Sequence, residues 1–160
     1  PEACKLPSVP TIPSMRVEKN KAANLSLSNT PPSFPIYVSG IVFRDLIAQG
    51  GITKSQERAE AKSELVYKIL DAYPDVYKPT VAHQGFRSHM NITFRVLNCS
   101  THEPSPEAES KLISFFSEHD IVEIKGHRSI GGIRISLYNV VTLKQAEKVA
   151  SLLKQFAEST

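Results

Sequence analysis

Apolar positions along this chain change period several times, and each change marks an element. Ile36, Val38, Ile41, Val42 and Leu46 recur at helical spacing from Pro35 to Gln49, with Tyr37 and Phe43 making that helix apolar on more than one side. Gly50-Gly51 then ends it. Thr53-Lys54-Ser55-Gln56 fits a capping box, in which a threonine oxygen and a glutamine side chain satisfy the free N–H groups of a new helix. That helix is expected to run to about Tyr73, with Leu65, Val66, Ile69, Leu70 and Tyr73 on the core face. Glu57, Arg58, Glu60 and Lys62 cover its early polar face, and Pro74 closes it.

From Met90 the period becomes two. Met90, Ile92, Phe94 and Val96 alternate with Asn91, Thr93 and Arg95, the pattern of a half-buried strand. Ser105 caps and Pro106 opens a helix carrying Leu112, Ile113, Phe115, Phe116 and His119. A short strand is expected from Ile121 to Lys125. In another, Ile133, Ile135 and Leu137 alternate with Arg134, Ser136 and Tyr138, which puts Arg134 on the polar face. Thr142 to Gln145 forms a second capping box, and Ala146, Val149, Ala150, Leu153, Phe156 and Ala157 mark the buried side of the last helix.

Strand, helix, strand, strand, helix after residue 80 predicts an α/β sandwich, with helices on one face of a small, mostly antiparallel sheet. Pro1, Pro7, Pro10, Pro13, Pro31, Pro32 and Pro35 oppose regular structure before it. The expected division is therefore an extended Pro-rich segment over 1–35, connecting helices over 36–79 and a small compact body over 80–160. Pro1 in place of Met makes the chain read as the middle of a longer one.

Composition narrows the function classes. With 19 basic and 16 acidic side chains in 160 residues, the net charge of +3 is too mild and too evenly spread to argue for nucleic acid. No apolar stretch approaches the roughly 18 residues of a membrane span, so a soluble, cytoplasmic protein is expected. Cys4 and Cys99 lie far apart, which fits free thiols, and the five histidines lack metal-ligand spacing, so no metal is assigned.

The chemistry concentrates in Gly126-His127-Arg128-Ser129-Ile130-Gly131-Gly132-Ile133-Arg134. Glycines let a ligand approach the backbone and its N–H donors, and each Arg offers a planar fork to a carboxylate or phosphate. Two Arg six residues apart suggest two anionic groups on one ligand. A glycine turn between strands with solvated charges fits the same spacing.

This run, followed by Ser136-Leu137-Tyr138-Asn139, resembles the C-terminal signature of the phosphoserine aminotransferases, a pyridoxal-phosphate family of fold type I. Asn29-Thr30-Pro31-Pro32, Gly50-Gly51, and Arg87-Ser88-His89-Met90-Asn91 with Phe94 recur in the family's order, so the likeness covers roughly residues 25 to 160. The resemblance implies the small C-terminal domain of such an enzyme, the part that recognises substrate. His127 and Arg128 would hold the phosphate of phosphoserine or 3-phosphohydroxypyruvate, and Arg134 the substrate α-carboxylate. Glutamate, the amino donor that becomes 2-oxoglutarate, would place its side-chain carboxylate in the same pocket. Asn29 and Thr30 would reach across a homodimer to the phosphate of the partner subunit's pyridoxal phosphate. Arg87 is expected to be structural.

Transamination also needs a lysine that joins the cofactor through a Schiff base, and in the family it lies upstream of the Asn-Thr-Pro-Pro motif. Lys5, Lys19 and Lys21 sit in Pro-rich or polar sequence and read as solvated, so that lysine is expected outside this chain. Alone, the chain is expected to bind substrate anions weakly and not to turn over. The alternative is a non-catalytic module that binds an anionic amino acid or a partner chain.

Overall fold

The computed structural model describes residues 31–159, which fall into two units divided between Asp45 and Leu46. The expectations placed on residues 1–30, including the roles of Asn29 and Thr30 and the three upstream lysines, lie outside the described residues.

Helix α1 (Ser33–Ala48) forms where the apolar period predicts it and has no buried residue. Phe34, Ile36, Tyr37, Phe43 and Ile47 are all more than half exposed, so its apolar character on several sides is real surface. Gly50, at φ 98°, takes the left-handed turn that side chains rarely adopt and leads directly into α2 (Gly51–Ala72). The expected capping box at 53–56 is therefore not formed. The helix starts two residues before Thr53, its cap is Gly50 without a side-chain hydrogen bond, and the Ser55 hydroxyl donates to Gly51 O instead (2.9 Å).

The second unit is built on an antiparallel sheet of β1 (Tyr77–Pro79), β2 (Asn91–Val96) and β3 (Ile133–Ser136), in that order. Register sets Lys78 opposite Arg95, and Thr93 opposite Arg134. One face of the sheet carries Tyr77, Ile92, Phe94, Val96, Ile133 and Ile135, all buried. Against it pack α2, α3 (Pro106–Ser117) and α4 (Leu143–Glu158), which contribute Val66, Leu70, Leu112, Phe116, Leu153 and Phe156 to the same core. Ser105 caps α3, and the Thr142–Gln145 capping box on α4 is complete in both directions. These are helices on one face of a small antiparallel sheet, as the period-two and helical patterns predict.

Three local expectations are corrected. Residues 121–125 do not form a strand, because Asp120 and Glu123 take positive φ (62° and 60°) and break the pleat, leaving a single bridge from Lys125 to Ile133. A strand that the pattern did not announce, β1, takes a sheet position, and both α2 and β1 pack into the body expected to begin at residue 80. Lys62 is not on the polar face. It is 3% exposed, and its Nζ donates to the carbonyls of Leu137 (3.0 Å), Tyr138 (2.8 Å) and Val141 (2.8 Å). Burial, with a smaller contribution from Arg58, lowers the Lys62 pKa below the usual lysine range.

The core holds one more polar anchor. Tyr77 is packed edge-on against Phe94 and its hydroxyl donates to Leu153 O (2.7 Å), tying the edge strand to the middle of α4.

Candidate functional site

The glycine run closes on itself before it meets anything else. Ile130 N and Gly131 N both donate to His127 O (3.0 and 2.8 Å), and Gly126 N donates to Gly132 O (2.8 Å). Gly131 and Gly132 have φ of 74° and 81°, and a Cβ on Gly126 would collide with the carbonyl oxygens of Gly131 and Gly132. Each of the three glycines is thus demanded by backbone geometry. His127 Nδ1 accepts from Ser129 N (3.2 Å), which leaves Nε2 as the nitrogen available to a ligand.

Beyond the loop, β3 leaves Arg134 exposed on the sheet's polar face, while its backbone N–H donates to Ile124 O (2.7 Å). Arg134 and His127 line one cleft of about 480 Å³ together with Lys78, Thr93 and Arg95. Arg134 also borders a second cleft of about 440 Å³, on the side of residues 120–124 and Lys148. Arg128 is exposed in the loop and does not line the first cleft. Among the described residues neither Arg128 nor Arg134 has a hydrogen-bond or ion-pair partner for its guanidinium. Two unpaired forks and an imidazole around a glycine loop suit an ionised ligand with more than one anionic group.

Two residues that the sequence reasoning did not single out support this loop from below. Glu109, 6% exposed, accepts from Arg95 Nε with one oxygen (2.5 Å) and from Gly132 N with the other (3.0 Å). Arg95 is legible as a polar-face position of β2, and Glu109 falls on the same helical face as Leu112 and Phe116, a charge within an apolar stripe whose partner the sequence does not name. Lys78 was hidden with β1.

Arg87 stands apart from the cleft. Its guanidinium forks onto Asp71 (2.6 and 2.8 Å), its Nε donates to Val81 O (3.2 Å), and the group stacks 4.8 Å above the Tyr67 ring. Those hydrogen bonds to Asp71 raise its pKa further, and the residue is consumed by structure. Among the described residues no group of three or more His, Cys, Asp or Glu is arranged to hold a metal ion, and no helix is long and apolar enough to cross a membrane.

Fold and site define a small α/β domain whose exposed cations sit on the back of a core-forming antiparallel sheet. No family model matches the sequence. It is 36% identical over 151 residues to the "Probable phosphoserine aminotransferase" of Dictyostelium discoideum, an alignment covering 94% of this chain and 39% of that protein. The solved phosphoserine aminotransferase from Bacillus circulans subsp. alkalophilus is 34% identical, with a TM-score of 0.77, over 94% of this chain and 39% of that one. The pyridoxal-phosphate-bound phosphoserine aminotransferase of Trichomonas vaginalis is 25% identical, with a TM-score of 0.72, over 92% and 40%. The chain belongs to the phosphoserine aminotransferase family as a C-terminal part, spanning about two fifths of the length of its relatives.

Proposed function

We propose that the chain is the substrate-recognition part of an enzyme that transfers an amino group between glutamate and 3-phosphohydroxypyruvate, giving 2-oxoglutarate and phosphoserine. Arg134 takes the α-carboxylate, which both amino-acid substrates share. His127 and Arg128 take the phosphate, a group with close to two charges and three acceptor oxygens. The observation that carries this reading is the separation of the unpaired cations: one fixed on a strand of the sheet, the others held in the glycine loop beside it. A rigid strand fixes the end of the substrate that reacts, and the loop reads the end that distinguishes phosphoserine from serine.

The amide of Asn29 and the hydroxyl of Thr30 are neutral donors whose chemistry suits the phosphate of pyridoxal phosphate, held across a homodimer. When bound, that cofactor supplies the electron sink that lets the substrate Cα–H bond break. This chain's own contribution is orientation: Arg134 fixes the carboxylate so that Cα–H faces the reacting group. The lysine that receives the proton lies in the part of the protein outside this chain. In this reading the protein works in the cytoplasm, away from membranes and nucleic acid. The exposed apolar sides of α1 favour a part of a larger body over a free-standing anion-binding module.

Arg128→Leu in the full-length protein tests the reading. It is expected to impair use of phosphoserine far more than that of unphosphorylated serine, and Arg128→Lys is expected to rescue only partly because a point charge lacks the fork. Equal losses for the two substrates would make Arg128 a structural residue of the loop and remove the basis for phosphate recognition.

A further inference from the structure

The anion loop rests on one buried carboxylate. Glu109 sits in the first turn of α3 and reaches the loop with both oxygens occupied, one by Gly132 N (3.0 Å) and one by Arg95 Nε (2.5 Å). Arg95 in turn reaches the carbonyl of Ile130 with Nη1 (3.5 Å). Its stem lies against Gly132 so closely that a Cβ there would stand 3.0 Å from Arg95 Cδ. The loop between His127 and Gly132 is thus held at its far end by a helix residue and by a strand residue from two separate elements.

A second effect comes with the first. Register places Lys78 directly opposite Arg95 on the polar face of the sheet, a pairing of like charges that is unfavourable without compensation. Glu109 supplies that compensation, and it takes Arg95 out of the set of cations free to meet a ligand. Of the six lining side chains that can donate a hydrogen bond to an anion, Arg95 is thereby withdrawn, and the cleft keeps Arg134, His127 and Lys78 as basic groups for recognition.

We propose that Glu109 and Arg95 are positioning residues for phosphate recognition: together they latch Gly132 and Ile130, and so fix the loop from which His127 and Arg128 meet the phosphate. The proposal rests on the assignment of the phosphate to that loop. Its signature is selective, because a loop that has lost its latch loses preorganised contacts to the phosphate while Arg134, held by β3, still binds the α-carboxylate.

The test uses the full-length enzyme with its cofactor. Glu109→Ala is expected to raise KM for phosphoserine by about tenfold or more, with kcat and the KM for serine changed by less than about threefold. Glu109→Gln keeps the volume and an acceptor for Gly132 N, and is expected to recover most of the loss; should Glu109→Ala not fold, Arg95→Met carries the test with the same selective rise. Hydrogen exchange at the Gly132 amide, faster in Glu109→Ala and slowed again in Glu109→Gln, reads the latch without any substrate. Equal effects on phosphoserine and serine, or an unchanged Gly132 amide, overturn the proposal. Arg128→Leu run alongside separates the two claims: if it discriminates phosphoserine from serine and Glu109→Ala does not, the latch fails and the site assignment stands. If Arg128→Leu does not discriminate, both fall.

Discussion

Replacing Lys62 with Met separates the value of a buried ammonium from that of its hydrocarbon stem. The side chain is 3% exposed and its three N–H donors meet three carbonyls of the turn between β3 and α4. Met keeps most of the stem's packing and removes every donor. Leu137 O lies in the interior and is left without a partner, whereas the carbonyls of Tyr138 and Val141 are half open and reachable by water. Hydrogen bonds to a charged group contribute about 1.5–3 kcal/mol each, but the desolvation that lowers the Lys62 pKa cancels part of that, so a total loss of about 2–4 kcal/mol is expected. For a unit of this size that is a fall in Tm of about 8–15 °C. Thermal and urea denaturation followed by circular dichroism measure it, with Lys68→Met, an exposed position on the same helix, expected to change stability by less than about 0.5 kcal/mol. A Lys62→Met loss no larger than that of the control would mean that the turn is held by its chain alone, and the clamp would have no energetic content.

The same lysine makes a prediction about pH. Because its folded pKa is depressed, its contribution to stability is complete above the unfolded value of 10.5 and is lost as pH falls through the folded value, so the gap between the wild type and Lys62→Met should widen as pH rises towards 10.5. A gap that narrows over that range would show that the three carbonyls favour the charged form strongly enough to reverse the shift. Arg134→Ala in the full-length protein should weaken both phosphoserine and glutamate by about 1.5–3 kcal/mol, and steady-state kinetics with each substrate would expose unchanged constants as the contrary result. Gly126→Ala should force the loop apart at Gly131 and Gly132, costing about 1–3 kcal/mol of stability together with phosphoserine binding; calorimetry that finds both intact would refute the close approach.

Much of this architecture is readable from residue periodicity, and the exceptions have specific causes. The period-two run at 91–96 and the amphipathic stripes of α2, α3 and α4 are long enough for burial to dominate, and they fold as the pattern requires. Short segments obey tertiary context instead. Tyr77-Lys78-Pro79 is too brief to show alternation and becomes a strand only because β2 offers it an edge, while Glu123 adopts a left-handed conformation that a period of two cannot reveal. In the site, Arg128 and Arg134 are visible because glycines surround them. Glu109 shares the helix face of Leu112 and Phe116, but a glutamate in the first turn of a helix ordinarily complements the helix dipole from the surface, and only the packed structure shows that its partners are Arg95 and the glycine loop.

The irregular stretch at 120–125 has a consequence for how copies of this chain can meet. An exposed sheet edge offers unpaired N–H and C=O groups to any strand of another molecule, and self-association through such edges is a common route to aggregation. On the β3 side, Ile124 O takes the N–H of Arg134, and the left-handed Glu123 bends the covering chain out of the flat form on which a further strand could be laid. On the β1 side, Pro79 has no N–H to give. Both margins of the sheet are thus blunted against strand addition, one by the irregular chain that covers Arg134 and the other by a proline, which lowers the tendency of the described unit to associate by extending its sheet.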